Sequence, residues 1–173
     1  MLSGGHPNSL GRTLEVVDAV LADRSRLDDL YRCYFSDDEV VRLRVSSAMK
    51  RVTIEHPDWT LGFIDGLESE VAAIDQASTQ WTLALLFDEM ADLLSPQQRS
   101  RAIEITQDNL EQHSDWIVLN NSMKVLGRWA EADPALAEWL LPHAHRLTSD
   151  ERKSVAANAR KLLDHFGASS PHS

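Results

Sequence analysis

Seven histidines, one cysteine and several clusters of carboxylates are the side chains of this 173-residue chain that could hold a metal or move a proton. The closest histidines, His143 and His145, stand two positions apart. On a helix that spacing turns their side chains about 200° from one another, whereas ligands of a shared ion need a separation of three or four. Cys33 has no second cysteine to pair with. Neither a metal centre nor an internal disulfide is expected, nothing points to an oxidising compartment, and no cofactor is expected. Among the carboxylates, Asp28-Asp29 and Asp37-Asp38-Glu39 fall at expected helix starts or turns, where negative charge suits the helix dipole. Asp88 and Asp92, four apart on one helix face, are the pair that could share acid/base work. The HExxH, GxSxG, P-loop and GxGxxG patterns are absent. The motifs therefore favour a protein that is not an enzyme.

The elements that would position these residues are helices. Apolar residues recur at steps of three and four, as in Leu14, Val17, Leu21 and in Val41, Val45, Ala48, Val52, and no run alternates with period two. Ser36 with Glu39, Ser95 with Gln98 and Thr148 with Glu151 have the spacing of reciprocal capping boxes. Ser95-Pro96 and Asp133-Pro134 place a capping residue before a proline at the first helical position. Nine helices are predicted over 13–22, 25–35, 38–55, 58–74, 78–94, 96–112, 115–132, 134–147 and 150–166, the first acting as a cap. The Gly-, Ser- and Pro-rich ends, 1–11 and 168–173, are expected to be flexible tails around a single helical domain over 12–167.

Pro57, Pro96 and Pro134 open helices 39 and 38 residues apart. The segment from Ser46 to Val52 is echoed by Asn120–Leu126 and again by Ala157–Leu163, at intervals of 74 and 37. A period near 37 is that of stacked helix pairs. Asp38, Val41-Arg42, Val45, Ala48, Met49 and Val52 resemble the second helix of a HEAT repeat. The small and aliphatic positions persist as Ala84, Phe87, Ala91, then Leu119, Ser122, Leu126, then Ala156, Ala159, Leu163, while the Val-Arg pair becomes Gln80-Trp81, Asp115-Trp116 and Arg152-Lys153. The resemblance implies an all-α, right-handed α-α superhelix of about four HEAT-like (armadillo-type) helix pairs with an N-terminal capping helix, each pair burying the face its neighbour cannot bury alone.

Aligning the four second helices puts Arg42, Trp81, Trp116 and Lys153 at one position, and Ser46, Leu85, Asn120 and Ala157 one turn later. Of these, Arg42, Trp81, Leu85, Trp116, Asn120 and Lys153, together with Asp88 and Met123, are expected to line a concave binding face, because Trp and Arg are favoured anchors of protein interfaces. Two competing expectations stand beside this. Both tryptophans can pack as core between repeats, and the resemblance implies that Arg42 serves a polar ladder between neighbouring repeats.

Charge narrows the partner. With 27 acidic and 17 basic residues the net charge is -10, which repels phosphate backbones and anionic membranes unless cations cluster locally. Met1 to Arg12 lacks the pattern of a signal peptide and no stretch is long and apolar enough to cross a bilayer, so a cytoplasmic protein is expected. The leading expectation is a scaffold or adaptor holding a segment of another protein. A second comes from Lys124–Ala130, Asp133-Pro134, Ala137 and Leu147–Arg152, which distantly resemble the C-terminal repeats of HEAT-like DNA alkylation-repair glycosylases. That likeness implies aromatic and acidic groups on the concave face, here Trp81, Trp116 and Asp88; the acidic balance and the short chain oppose it. A homodimer formed through an exposed apolar stripe is the third.

Overall fold

The computed structural model describes Leu2 and residues 11–169. The tails expected at 1–11 and 168–173 therefore fall largely outside the described residues. Among those residues every regular element is helical, as the three-and-four periodicity predicts. The chain divides into two compact units, Met1–Ala102 and Ile103–Ser173.

In the first unit α1 (Thr13–Ala22) packs on α3 (Glu39–Glu55), and α3 packs on α6 (Ala77–Glu89). Val45, Ala48, Met49 and Val52 of α3 are fully buried. The Asp38 carboxylate caps α3 by accepting from the Val40 N–H at 2.8 Å, while Ser36 Oγ accepts from the Asp38 N–H at 3.2 Å. The capping box predicted for Ser36 and Glu39 is thus replaced by a shorter, charged acceptor directly at the helix start. Residues 25–35, predicted as one helix, form a turn at Arg24–Arg26, the short α2 (Leu27–Arg32) and a second turn at Cys33–Phe35. Asp23 tightens the entry by accepting from both the N–H and the hydroxyl of Ser25.

The helix predicted over 58–74 is broken into α4 (Pro57–Leu61), α5 (Ile64–Gly66) and a wide turn at Leu67–Val71, where the Ala72 N–H reaches back to the Leu67 carbonyl at 3.1 Å. An aromatic ring packs against this stretch. Tyr31 stacks on Phe63 with centroids 4.7 Å apart, and its hydroxyl lies where a Cβ on Gly66 would stand, 2.0 Å away. The helix predicted over 78–94 ends at Glu89 instead, because Met90 turns into the core with no exposed surface and its carbonyl accepts from the N–H groups of Leu93 and Leu94. The capping box predicted for Ser95 and Gln98 forms in both directions, at 2.9 and 3.3 Å, and opens α7 (Pro96–Gln112).

In the second unit α8 (Trp116–Ala130), α9 (Pro134–Leu147) and α10 (Lys153–Ser169) pack on one another. Asp115 and Asp133 each cap a helix by accepting from two N–H groups. α9 runs through Pro142 to Leu147. The third predicted capping box does not form. The Thr148 hydroxyl donates back to the His145 carbonyl, and Asp150 takes over as acceptor for the Arg152 N–H at 2.9 Å, so α10 begins at Lys153.

Polar ties within each unit join residues one sequence period apart. In the first unit, Arg42 Nε donates to Gln76 Oε1 at 2.7 Å and Gln76 Nε2 to the Glu39 carbonyl at 3.0 Å. In the second, Arg146 Nη2 donates to the Leu110 carbonyl at 3.2 Å, Arg152 Nη1 to the Ser114 carbonyl, and Asn158 Nδ2 to Asn120 Oδ1 at 3.0 Å. Their separations, 34 to 38 residues, fall at the spacing of the sequence echo.

The Tyr31 hydroxyl is buried and has no hydrogen-bond partner among the described residues. An unsatisfied buried hydroxyl costs stability, so Tyr31→Phe is expected to raise the free energy of unfolding by about 1 kcal/mol. Gly66→Ala should lower it by about 1–3 kcal/mol through overlap with that hydroxyl, and the loss should be smaller in the Tyr31→Phe background. Urea unfolding of the four proteins checks this; equal losses in both backgrounds would show that the overlap is not with the Tyr31 hydroxyl.

Candidate functional site

The eight residues expected to line a binding face divide between the units. Arg42, Trp81, Leu85 and Asp88 lie in the first, and Trp116, Asn120, Met123 and Lys153 in the second. Arg42 is half-buried, and its guanidinium donates to the Ser36 carbonyl at 2.6 Å as well as to Gln76. It is a tie between α3 and the start of α6. Trp81 and Leu85 are half-buried, with Lys50 Nζ 5.7 Å from the centre of the Trp81 ring. Asp88 is only 7% exposed, whereas Asp92 is exposed. One carboxylate of the pair considered for acid/base work is therefore withdrawn from solvent.

On α8 the accessible stripe is rotated from the one the sequence suggests. Trp116 is 48% exposed and Asn120 half-buried, but Met123 is 2% exposed. Packing of both α9 and α10 on α8 is the reason: Val118, Leu119, Ser122, Met123, Val125, Leu126 and Gly127 are all buried, so the core claims far more than one helical stripe. The stripe left to solvent advances in steps of four through Trp116, Asn120, Lys124 and Arg128. Lys153 is exposed at the start of α10.

Between α8 and α10 lies a groove of about 480 Å³. Its floor is made where the helices approach closely. A Cβ on Gly127 would stand 2.6 Å from Leu162 Cδ1, so glycine there lets the Leu162 side chain cross α8. Asn120 accepts from Asn158 and donates to Ser154 Oγ at 3.3 Å, tying the helices one turn into each. Lys124, Arg128 and Lys161 line the walls, and Glu131 pairs with His165 at 3.4 Å near one end. The charge is segregated. α8 carries Lys124 and Arg128 and no carboxylate, and α10 carries Lys153, Arg160 and Lys161 against Asp164, in a chain of net charge -10. Sequence reasoning missed Lys124, Arg128 and Lys161. The signal was the run Trp116–Ala130, which holds Lys124 and Arg128 and no acidic residue, but the helix predicted over 115–132 also takes in Asp115 and Glu131 and hides it.

Other groups considered for chemistry have structural partners. His143 stacks on Trp139 with centroids 4.2 Å apart and faces Glu111 at 3.4 Å, while His145 is exposed. The Cys33 thiol donates to the Asp29 carbonyl, and burial raises its pKa. No group of three or more His, Cys, Asp or Glu able to hold a metal ion occurs among the described residues, and no helix there is long and apolar enough to cross a membrane. Comparison with family models, with curated proteins and with solved structures finds no match.

The groove depends on the turn before α10. Arg152 grips Asp150 at 2.7 Å and reaches the Ser114 carbonyl just ahead of α8. Those hydrogen bonds hold the Asp150 pKa down from 3.8 to about 2. A carboxylate depressed on folding contributes stability above its unfolded pKa and loses it as pH falls through the folded value. The wild type should therefore melt above Asp150→Asn by a constant margin at neutral pH, and the margin should close between pH 3.8 and about 2. Melting temperatures across that range check it; a margin unchanged down to pH 2 would mean that Asp150 is not held as an ion pair.

Proposed function

We propose that this protein is a HEAT-like interaction module, acting as a scaffold or adaptor in the cytoplasm, that receives a segment of another protein along α8 and α10. The groove carries the reading. It is open to solvent, with Gly127 and Leu162 in its floor, and the exposed Trp116 stands at the head of α8, one turn before the lining residue Asn120. An indole left half in water at the end of such a groove is the kind of residue that supplies a disproportionate share of binding energy when a partner covers it. Recurrent ties at 34–38 residues support the repeat reading, and the dispersal of the candidate carboxylates and histidines favours binding over catalysis.

The cations of α8 and α10 also favour a second reading, a nucleic-acid-binding relative of HEAT-like DNA alkylation-repair proteins. Lys124 and Arg128 on α8 and Lys153, Arg160 and Lys161 on α10 are what supports it.

A photo-crosslinking residue placed at Asn121, in the groove, should trap a defined protein that the same residue at Glu138 on α9 does not. Affinity for that protein should fall about tenfold or more in Trp116→Ala, with the helical circular dichroism unchanged. Equal trapping from both positions, or binding indifferent to Trp116, would refute the groove as the site.

A further inference from the structure

We infer that the α8–α10 groove selects an acidic peptide segment, one carrying at least two carboxylates beside an aliphatic anchor. This rests on the interaction-module reading and names what the module holds. Lys124 and Lys161 are exposed and stand on opposite walls, and Arg128 adds a third cation one turn beyond Lys124. Glu131, the one carboxylate among the lining residues, is engaged by His165. Between the walls the floor is apolar, with Met123, Gly127 and Leu162 lining it, and Asn120, Asn121 and Asn158 supply amide groups toward the Trp116 end. A ligand complementary to this surface presents negative charge to both sides and a small aliphatic side chain to the centre. On the α8 side the groove is lined from Asn120 to Glu131, so a partner lying along it has about 18 Å of groove.

A nucleic acid satisfies the charge less well. Binding a phosphate backbone draws on many cations at once, and single strands add stacking on aromatic rings. Only three Lys or Arg side chains line the groove, and the one ring among its lining residues is the His165 imidazole, which faces Glu131. The net charge of -10 opposes a long polyanion that must run beyond the groove, whereas a peptide with a few carboxylates ends within it.

The test is selection from a display library of random peptides of about 16 residues, a length that spans the groove as a helix, against the folded full chain. The same chain is also titrated with single- and double-stranded DNA. The expected result is enrichment of peptides with net negative charge and a Leu, Ile or Val anchor. Their affinity should fall about tenfold or more in Lys124→Glu/Lys161→Glu and should weaken as salt is raised, with circular dichroism unchanged. Both lysines are exposed, so reversing them leaves the core intact; Lys124→Gln/Lys161→Gln, giving an intermediate loss, guards against a folding defect in the reversed pair. Enrichment of neutral or basic peptides that still depend on Trp116 would overturn the acidic selectivity and leave the interaction reading standing. DNA that binds more tightly than any peptide, and is displaced by the lysine substitutions, would overturn the inference in favour of a polyanion. No peptide enriched at all would overturn the inference and the interaction reading together.

Discussion

α3 is covered on more than one side, and a helix so placed has to settle its polar groups internally. Its buried residues include Arg44, Ser46 and Thr53 as well as the aliphatic series Val41, Val45, Ala48 and Val52. A buried donor without an acceptor costs a sizeable fraction of a domain's net stability, so each of these side chains constrains where something else goes. Arg44 donates to the Leu2 carbonyl at 2.6 Å. Ser46 bonds back to the Arg42 carbonyl and approaches Thr79 of α6 at 3.5 Å; Thr53 bonds back to Met49 and meets Thr60 of α4 at 2.8 Å. The helices around α3 are thereby positioned by hydroxyls and a guanidinium as much as by apolar contact. α6 repeats the pattern, with Gln80 buried and donating to the carbonyls of Ala72 and Ile74.

The same condition governs the second unit and shapes the groove. α8 is buried through most of its circumference, which leaves a narrow solvent stripe in which every exposed residue counts. Gly127 admits Leu162, the asparagine pair Asn120 and Asn158 ties the helices, and the stripe that remains is cationic. The basic character of the groove is therefore a product of packing. Asp115 and Asp133 cap helix starts and do not line the groove.

Much of the helical frame is legible in local chemistry. α1, α7 and α9 begin and end where periodicity and caps place them, because Ser95, Gln98 and Asp133 act on groups two or three residues away. The misreadings share a cause of longer range. The broken stretch after Leu61 receives the ring of Tyr31, some thirty positions upstream, against Phe63 and Gly66, and a glycine in an otherwise periodic run does not announce the ring that will occupy its missing side chain. The late start of α10 follows from Asp150 finding a partner in Arg152. For the site, Trp116 and Lys153 are exposed as the repeat alignment suggests, but the choice between Met123 and Lys124 as the next residue on the stripe depends on how many neighbours cover α8, and no window of sequence records that.

The polar ties carry a consequence for how the chain assembles. Each closes a loop of 34 to 38 residues, so the entropy of ring closure is paid in similar small increments and never across the full length of the chain. During synthesis, the donors on Arg146 and Arg152 emerge one period after the carbonyls of Leu110 and Ser114 that they bind.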